Sequence, residues 1–511
     1  MTVLFSNGEV GMKRSILTLI AAALALGACA ESVSSEMAVA AANAWVLRNE
    51  KFGAGRAATG KVITVRDTNK AETVLWHQVS MTGDGCVIVA PVTEIEPVVA
   101  ALDNDPGELP AAHPLRGILR RDMRARLRVL GLYQEDGAAR LQSVAPVAPG
   151  ATDGRSAGVA EWALQQEKKW ARLGLGGKAK LLEDETLGRD VVDMEVCVVK
   201  GFERNGPLTH WSQGSSGGYL YNYYTPNHSV CGCVATACAA IVQFFGATNA
   251  VEYVNRGCTY NNVPCQESPV CNFQPATTKK GEIDWSSFEG LRASAYSRLS
   301  DEQREIIGRV AYNAAVGVTM HWSDNESGTI EENIVTALKK VFGFKEARFI
   351  NLRDTQQPWN SETYRKLIYG QCAAGAPVGI SIESHSVVCV GYGQDYDGVE
   401  RVRIFMGWGG SGDGWYALPM VDTKATMGGS SYVSEIVDGI VTMISWKDSR
   451  VVPVVGQVKN NKGEKVADAE LTFLNVVDTI EEEIPGEPTG EEGYELVAAP
   501  DGVTVRADGI V

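Results

Sequence analysis

Gly232-Cys233-Val234-Ala235-Thr236-Ala237 is the stretch from which the fold of this 511-residue chain can be predicted. It places a cysteine at the start of an apolar run whose hydrophobic residues recur at helical spacing as far as Phe245, which predicts a buried helix. A thiol in the first turn of a helix lies at the positive end of the helix dipole, which favours the thiolate. The thiolate is the form of cysteine that attacks carbonyl groups.

A second signal lies far downstream, where His385 begins a short and nearly continuous apolar run that ends in glycines. Such a run predicts a buried strand. One cysteine and one distant histidine, each at the edge of a core element, is the usual sequence pattern of a Cys–His dyad. We therefore predict Cys233 as the nucleophile and His385 as the general acid and base. The alternative for each is an ordinary residue of the hydrophobic core.

Composition limits the class of protein. With 45% hydrophobic and 21% charged residues, the chain is globular, and its net charge of −15 argues against a nucleic-acid partner. Eleven cysteines are too few for a disulfide scaffold, although Cys258, Cys265 and Cys271 are disulfide candidates in one loop. We expect no cofactor and no metal, because the His and Cys residues within 228–238 include a Cys-x-Cys spacing that strains tetrahedral zinc chelation.

The N-terminus has the pattern of an export signal over residues 1–29. A basic Met12-Lys13-Arg14 precedes an apolar stretch, and Leu26-Gly27-Ala28-Cys29 resembles a bacterial lipobox in which Cys29 becomes lipidated. The alternative is an ordinary signal peptide cut near Ala30. No later segment reaches the ~18 apolar residues of a membrane helix, so we expect membrane contact only through the N-terminal lipid. The expected location is the outer membrane or cell surface, with the catalytic domain released outside the cell.

Composition divides the rest of the chain into four segments. Residues 37–150 alternate helical and strand-like patterns. Residues 151–190 predict a linker and processing region, in which a charged helical stretch over Ala160–Arg172 is followed by a glycine-rich, polar stretch. Residues 191–447 have the density of one large domain. Residues 452–511 predict a small β-rich module, with a turn at 460–463 between two strands and a solvated acidic loop over 481–495.

Further motifs follow one another in a fixed order over about 207–446. They include Trp211-Ser212-Gln213-Gly214, Tyr221–Pro226, Asp284–Phe288, Ala337–Phe344 and Gly407–Tyr416. With Cys233 and His385, they resemble the streptopain family of papain-like cysteine proteases. The resemblance implies an α+β, papain-like catalytic domain and an endopeptidase acting on protein substrates bound as extended chains.

The N-terminal segment 37–150 is similar to the inhibitory propeptide of that family, through Trp45 and the stretch 83–102. This similarity implies a zymogen whose α+β prodomain blocks the cleft and is the enzyme's own intramolecular inhibitor. Processing within 151–190 would then release the catalytic domain.

The resemblance also implies roles for two further residues. Trp408 is expected to stack over the site and limit the access of water, and Gln213 is a candidate oxyanion donor beside the backbone N–H of Cys233. The alternatives are a core tryptophan at a glycine turn and a structural loop glutamine. This chain has Phe405-Met406 where the family usually has a polar residue, so the group that orients the histidine is expected to be missing.

Two other functions fit the same residues. A protease fold without activity would be a binding or adhesion lipoprotein, which the altered Phe405-Met406 position favours. A peptide-ligating transferase would use the same acyl-enzyme and would differ only in whether an amine outcompetes water.

Overall fold

A computed structural model describes residues 31–53, 57–133, 154–175, 196–199, 211–285, 299–351, 361–417, 437–446, 473–481 and 490–497, with short gaps inside some of these ranges. The predicted leader and Cys29 lie outside the described residues. Among the described helices, none combines the length and the apolar character that crossing a membrane requires.

The described chain contains eight α-helices and nineteen strands. The helices are α1 Ser35–Arg48, α2 Glu50–Gly53, α3 Pro114–Val129, α4 Gly154–Arg172, α5 Cys233–Phe244, α6 Asp301–Gly317, α7 Asn333–Lys340 and α8 Ser361–Ala373. The strands are β1 Ala58–Arg66, β2 Val74–Met81, β3 Cys86–Val89, β4 Val98–Leu102, β5 Val196–Val198, β6 Tyr253–Val254, β7 Thr259–Tyr260, β8 Val263–Pro264, β9 Thr277–Thr278, β10 His321–Trp322, β11 Ser327–Gly328, β12 Phe344–Asn351, β13 Val378–Ile382, β14 His385–Gln394, β15 Glu400–Phe405, β16 Gly414–Tyr416, β17 Val437–Trp446, β18 Phe473–Glu481 and β19 Gly490–Val497.

One antiparallel sheet of 11 strands organises the first unit of the chain, in the order β1-β2-β3-β4-β16-β15-β14-β13-β17-β12. The remaining strand, β5, pairs with residues 391–393 of β14. The pairing of β13 with β14 covers only residues 385–389. Because helices and an antiparallel sheet are both present and the strands are not linked by parallel crossovers, the predicted α+β class is confirmed. Chain contacts divide the molecule into Met1–Val452 and Pro453–Val511.

The core of the catalytic part forms between this sheet and the apolar helix α5. All residues from Val234 to Gln243 are buried, and the helix packs on β14 and α6. The prediction of a buried helix beginning at Cys233 thus agrees with α5. Helix α6 begins with a complete capping box, in which the Ser300 side chain accepts from the Gln303 N–H and the Gln303 side chain accepts from the Ser300 N–H.

The N-terminal region, here residues 31–133, extends the same sheet through its strand β4. Trp415 of β16 stands opposite Ala101 of β4, and the next pair is Tyr416 with Ala100. A Cβ on Gly414 would come within 2.4 Å of the Ala101 carbonyl oxygen. Glycine is therefore required at 414, because the two backbones approach too closely for a side chain.

Buried ion pairs hold the N-terminal region against the catalytic part. Arg403 of β15 pairs with Asp103 at 2.6 Å. Arg401 pairs with Asp395 at 2.8 Å and also donates to the Val98 carbonyl at 2.8 Å. The indole N–H of Trp45, the tryptophan singled out in the sequence, donates to the same Asp395 at 3.1 Å. Each of these charges is buried and has an opposite charge or a polar partner, as burial requires.

The segment predicted as a linker contains the helix α4. Its Trp170 is fully buried and donates to the Ile95 carbonyl at 2.8 Å, so residues 154–172 pack on the N-terminal region. The charged helical stretch predicted at 160–172 agrees with this helix. Residues 134–153 and 176–195, the flanking parts of the segment, lie outside the described residues.

In the second unit, the described residues form one antiparallel hairpin. Strands β18 and β19 pair antiparallel from Phe473↔Val497 to Glu481↔Gly490. The expected acidic loop over 481–495 is therefore wrong for its second half, because Gly490–Val497 forms a strand. The predicted turn at 460–463 lies outside the described residues.

Candidate active site

A positive backbone angle at Gly232 places Cys233 at the first residue of α5. Gly232 has φ 92°, and a Cβ there would lie 2.7 Å from the Met320 side chain. Only glycine fits this position, so the cysteine follows a sharp turn directly into the helix. The Cys233 side chain is partly exposed, whereas the neighbouring thiols of Cys231 and Cys238 are buried.

The imidazole of His385 is held by a backbone carbonyl. Its Nε2 lies 2.8 Å from the carbonyl oxygen of Met406. Because a carbonyl only accepts, Nε2 carries the hydrogen, and in the neutral ring Nδ1 is then the accepting nitrogen. The Met406 N–H in turn donates to the Asp413 carboxylate at 2.8 Å, which fixes this peptide on both sides. The family usually has a polar side chain at this point to orient the histidine. In this chain the backbone carbonyl of Met406 orients it instead.

Trp408 stacks on His385, as predicted for it. The two ring centroids are 4.5 Å apart and the planes are inclined by 16°. On the other side, His113 of the N-terminal region meets Trp408 edge-on at 5.6 Å. His113 precedes α3, and its Nδ1 accepts the Leu115 N–H at 3.2 Å as the N-cap of that helix. Aromatic contacts through Trp408 therefore connect the N-terminal region to the predicted general base.

Cys233 and His385 line one cavity of about 1000 Å³. Its wall is formed by residues of β7, β10, β11, β12, β13 and β14 and by residues just before α7. None of the residues that line the cavity belongs to the described N-terminal region 31–133. The described contacts of this region lie along the sheet edge and at the loop of Trp408, and the expectation that it blocks the cleft stays a prediction.

Burial shifts the pKa values of both predicted dyad members toward their neutral forms. Burial raises the pKa of the Cys233 thiol, an effect that the N–H of Ser386 opposes by hydrogen bonding to the sulfur; the charge of Glu331 raises it further. Burial also lowers the pKa of His385, against the hydrogen bond to the Met406 carbonyl. In the form described here, burial therefore favours a neutral thiol beside a neutral imidazole.

Gln213 lies next to the nucleophile in the fold but is not among the residues that line the cavity. Its backbone carbonyl accepts the Cys231 N–H at 2.7 Å. This bond holds the lead-in segment against the turn before Cys233. A role for the Gln213 amide as oxyanion donor stays a prediction, as does a role for the Cys233 N–H.

Two groups at the site were not found in the sequence. Glu331 is a buried carboxylate of the cavity wall, and its Oε1 accepts from the Ser386 hydroxyl at 3.0 Å. Ser386 directs its N–H at the Cys233 sulfur. Neither residue belongs to a recognisable spacing, although Ser386 is adjacent to His385 and could have been suspected for that reason.

The remaining cysteines of this part are poor nucleophiles or disulfide candidates. Burial raises the pKa of Cys231 to about 12, so its thiol stays protonated. The sulfurs of Cys265 and Cys271 lie 3.0 Å apart. Within the described residues, no group of three or more His, Cys, Asp or Glu side chains is arranged to hold a metal ion.

Comparison with known proteins gives one family match. The sequence model of the Peptidase C10 family matches residues 211–416. No curated protein matches the chain in sequence.

Two solved structures from Prevotella intermedia are similar to this chain. A fragment of prointerpain A has 12% sequence identity and a TM-score of 0.42, covering 76% of this chain and 99% of its own. Active interpain A, a cysteine protease, has 17% identity and a TM-score of 0.34, covering 49% and 96%. Both TM-scores are low, and no residue is assigned from these similarities.

The family match spans both Cys233 and His385 and ends at Tyr416, the last residue of β16. It therefore contains the whole cavity described above and every site residue placed in it. Residues 211–416 are thus a domain of the peptidase C10 family, the streptopain family that the motifs resemble, and the chain carries a cysteine-type peptidase.

Proposed function

We propose that the protein is the zymogen of an exported cysteine endopeptidase that uses Cys233 as nucleophile and His385 as general acid and base. The observation that carries the proposal is the shared cavity, into which the first residue of α5 and the first residue of β14 both face. Ser386, which follows His385 in the strand, lines the same cavity, and its N–H opposes the rise in the pKa of the Cys233 thiol.

The geometry supports an acyl-transfer mechanism. His385 Nδ1, the accepting nitrogen of the neutral ring, takes the thiol proton, and the Cys233 sulfur attacks the carbonyl carbon of a peptide bond. The imidazolium gives this proton to the leaving amine as the C–N bond breaks, and water then hydrolyses the thioester. The Met406 carbonyl on Nε2–H stabilises the imidazolium and keeps the ring in one orientation. Trp408 covers the ring and restricts water around the ion pair.

Contacts of the N-terminal region support its role as a prodomain. It reaches the loop of Trp408 at two points, through His113 on the indole and through Asn104, whose amide donates to the Gly410 carbonyl at 2.7 Å. The Asp103 N–H also donates to the carbonyl of Asp413, the residue that fixes Met406. These contacts favour latency through control of the loop that positions His385. Since α4 packs with the N-terminal region, the proposed cut lies within 176–195.

Export and lipidation rest on the sequence of the leader alone. If Cys29 is lipidated, the lipid belongs to the prodomain, and cleavage within 176–195 releases the catalytic domain from the membrane. This part of the proposal is wrong if the mature, active form keeps a lipidated N-terminus, which mass spectrometry of the membrane-bound and released fractions would reveal.

The test is expression from Ala30 onward, so that the contacts of 31–33 with 91–94 are kept. Wild type, Cys233→Ala and Cys238→Ala are followed over time on denaturing gels and with casein as substrate. Cys238, on the same helix, is the matched control because it is buried. We expect wild type and Cys238→Ala to shorten and digest casein, and Cys233→Ala to remain full length.

Failure of all three chains to shorten calls for an added protease that cuts within 176–195. If the freed domain then digests nothing, the dyad assignment is wrong and the alternative of an inactive binding lipoprotein is favoured. The hydrogen bond from His385 to Met406 removes the original reason for that alternative, because the ring is oriented without a polar side chain. A peptide-ligating activity would be seen as ligated product when an amine acceptor is added.

A further inference from the structure

The carbonyl that holds the His385 ring belongs to a residue whose own N–H is held by a carboxylate. Met406 receives the Nε2–H of His385 at its carbonyl oxygen and donates its N–H to Oδ1 of Asp413, each over 2.8 Å. We propose that Asp413 is a positioning residue, which orients His385 for catalysis by fixing the backbone of Met406. This inference rests on the proposed protease function and adds one residue to its machinery.

The loop that joins Met406 to Asp413 has little conformational preference of its own. Four of its glycines have positive φ angles between 66° and 92°, namely Gly407, Gly409, Gly410 and Gly412. Glycine reaches this region without steric cost, but it loses more backbone freedom on ordering than any other residue. Such a loop keeps one conformation only when other groups fix it. The Gly409 N–H provides one fixed point by donating to the Trp211 carbonyl at 2.9 Å, and Asp413 provides another at the acceptor of the histidine.

Burial makes the contact between Asp413 and Met406 a firm one. Both residues are almost fully buried, with Asp413 1% exposed. A backbone N–H that loses its acceptor in such surroundings stays unsatisfied, because water does not replace the missing partner. The backbone of Met406 is therefore held in the orientation that keeps its N–H on the carboxylate, and the direction of its carbonyl is set with it.

The Met406 carbonyl decides which nitrogen of the histidine is available for proton transfer. Stacking on Trp408 restrains the plane of the His385 ring, but a half-turn of the ring keeps that plane and exchanges the positions of its edges. The hydrogen bond from Nε2 selects one of the two orientations and the tautomer that leaves Nδ1 to accept the thiol proton. Displacement of a catalytic group by about 1 Å costs about a hundredfold in rate.

Processing increases the dependence of the loop on Asp413. In the zymogen, the N-terminal region also holds the loop, because the Asp103 N–H donates to the Asp413 carbonyl at 2.8 Å and the Asn104 amide to the Gly410 carbonyl at 2.7 Å. Removal of that region removes both hydrogen bonds. The contact between the Asp413 carboxylate and Met406 lies within the catalytic part and remains. The processed enzyme is therefore the form in which the role of Asp413 is measured.

The competing explanation is that the buried side chain of Met406 holds the backbone without help. Two substitutions separate the possibilities. Asp413→Ala removes the acceptor of the Met406 N–H, whereas Asp413→Asn keeps an oxygen that can accept it and removes only the charge. If Asp413 acts through this hydrogen bond, kcat falls in the alanine variant and is restored in the asparagine variant. If its charge serves another part of the fold, both variants are impaired equally.

The experiment uses the full chain after cleavage by an added protease, with kcat and KM measured on a fluorogenic peptide and activity scaled to the amount of folded, processed enzyme. We expect Asp413→Ala to lower kcat about 10- to 100-fold and to leave KM within about twofold. Asp413→Asn should keep kcat within about threefold of wild type. Ser300→Ala is the control, since it also removes a side-chain acceptor of a backbone N–H, that of Gln303 at the start of α6. It should lower stability and leave kcat unchanged.

The outcomes decide as follows. Loss of kcat in Asp413→Ala with recovery in Asp413→Asn supports the inference. Wild-type kcat in Asp413→Ala, or equal loss in both variants, overturns it. If the alanine variant does not fold, the asparagine variant decides, because wild-type kcat then supports a hydrogen-bonding role and a tenfold loss contradicts it. Wild type that digests neither the peptide nor casein would refute the proposed function itself, and the inference with it.

Discussion

The interface between the N-terminal region and the catalytic part buries its charges in pairs, whereas the cleft presents its charges to a cavity. At the interface, Arg403 and Asp103 are both buried and lie 2.6 Å apart. In the cleft, Glu326 and Glu332 are exposed, and Cys233 keeps part of its surface open. The first arrangement suits a contact that must hold, and the second suits a cleft that stays accessible.

The two regions touch the same loop. Trp408 contacts both His385 of the cleft and His113 of the N-terminal region. Substitutions at the interface should therefore change docking and processing, and substitutions in the cleft should change catalysis. Only changes near Trp408 should affect both.

The largest expected effect comes from breaking a buried pair at the interface. Asp103→Asn removes the anion that faces Arg403, and loss of one partner of a buried ion pair costs about 3–5 kcal/mol. Urea unfolding in the Cys233→Ala background, which prevents processing, measures this loss. In the active background the same variant should process faster.

An exposed ion pair provides the control for this comparison. Asp301, 98% exposed, pairs with Arg304 at 2.9 Å. Asp301→Asn should leave the unfolding midpoint unchanged, because exposed pairs contribute little. Equal effects of the two variants would contradict the distinction between a buried interface and a solvated surface.

The next effect concerns the loop at the rim of the cleft. The sulfurs of Cys265 and Cys271 are 3.0 Å apart, and the hairpin β7–β8 beside them contributes Thr259 and Asn261 to the cavity wall. Oxidised glutathione should convert the two thiols to a disulfide, with two reduced glutathione molecules as the other product. Closing so short a loop is worth about 2 kcal/mol.

Thiol titration in denaturant measures this pairing. Oxidation should lower the number of titratable thiols of the wild type by two. Oxidation should not lower this number by two in Cys265→Ser or in Cys271→Ser. In Cys238→Ala it should again fall by two, since Cys238 lies buried in α5 and takes no part in the disulfide. The prediction is wrong if the oxidised wild type titrates like the reduced protein.

A smaller effect is expected at Trp408 in the processed enzyme. Trp408→Ala removes the ring that stacks on His385, and aromatic pairs of this kind contribute about 0.5–1.5 kcal/mol. We expect kcat to fall up to about tenfold with little change in KM. Trp408→Phe keeps an aromatic face and should retain most of the activity. If the phenylalanine and alanine variants were equally impaired, stacking would not be the cause.

The smallest effect is a pH dependence of docking. Burial lowers the pKa of His113 below its ordinary value, so the docked state favours the neutral ring while the undocked state binds the proton more readily. Docking therefore weakens as the pH falls through about 6.5. The measurement is the rate at which an added protease cleaves Cys233→Ala with and without the further change His113→Asn. The ratio of the rate with His113 to the rate of the His113→Asn variant should rise a few-fold as the pH falls from about 7.5 to about 5.5.

Asparagine is the suitable replacement at this position. It still caps α3 as His113 does, and it does not titrate. The ratio of the two cleavage rates at each pH cancels the pH profile of the added protease. A ratio that does not change with pH would show that His113 does not sense protonation at this contact.

Local patterns in the sequence were sufficient for the elements that carry the dyad. The apolar spacing after Cys233 predicted α5, and the apolar run after His385 predicted β14; both are confined to a dozen or so adjacent residues. The order of the motifs identified the family, and the α+β class was implied by that resemblance. The charged helical stretch predicted at 160–172 agrees with α4, whereas the packing of its Trp170 against the N-terminal region has no local signal in the sequence.

Tertiary structure alone decided how the site is completed. The group that orients His385 is a main-chain carbonyl, and every residue has one, so no side-chain pattern marks Met406. Glu331 and Ser386 are far apart in sequence, as are His113 and Trp408, and nothing in the spacing of either pair indicates contact. The sequence by itself determined which residues can do chemistry, because that depends on side-chain type and local periodicity. The fold determined their charge environment and their partners, because both depend on which distant segments pack together.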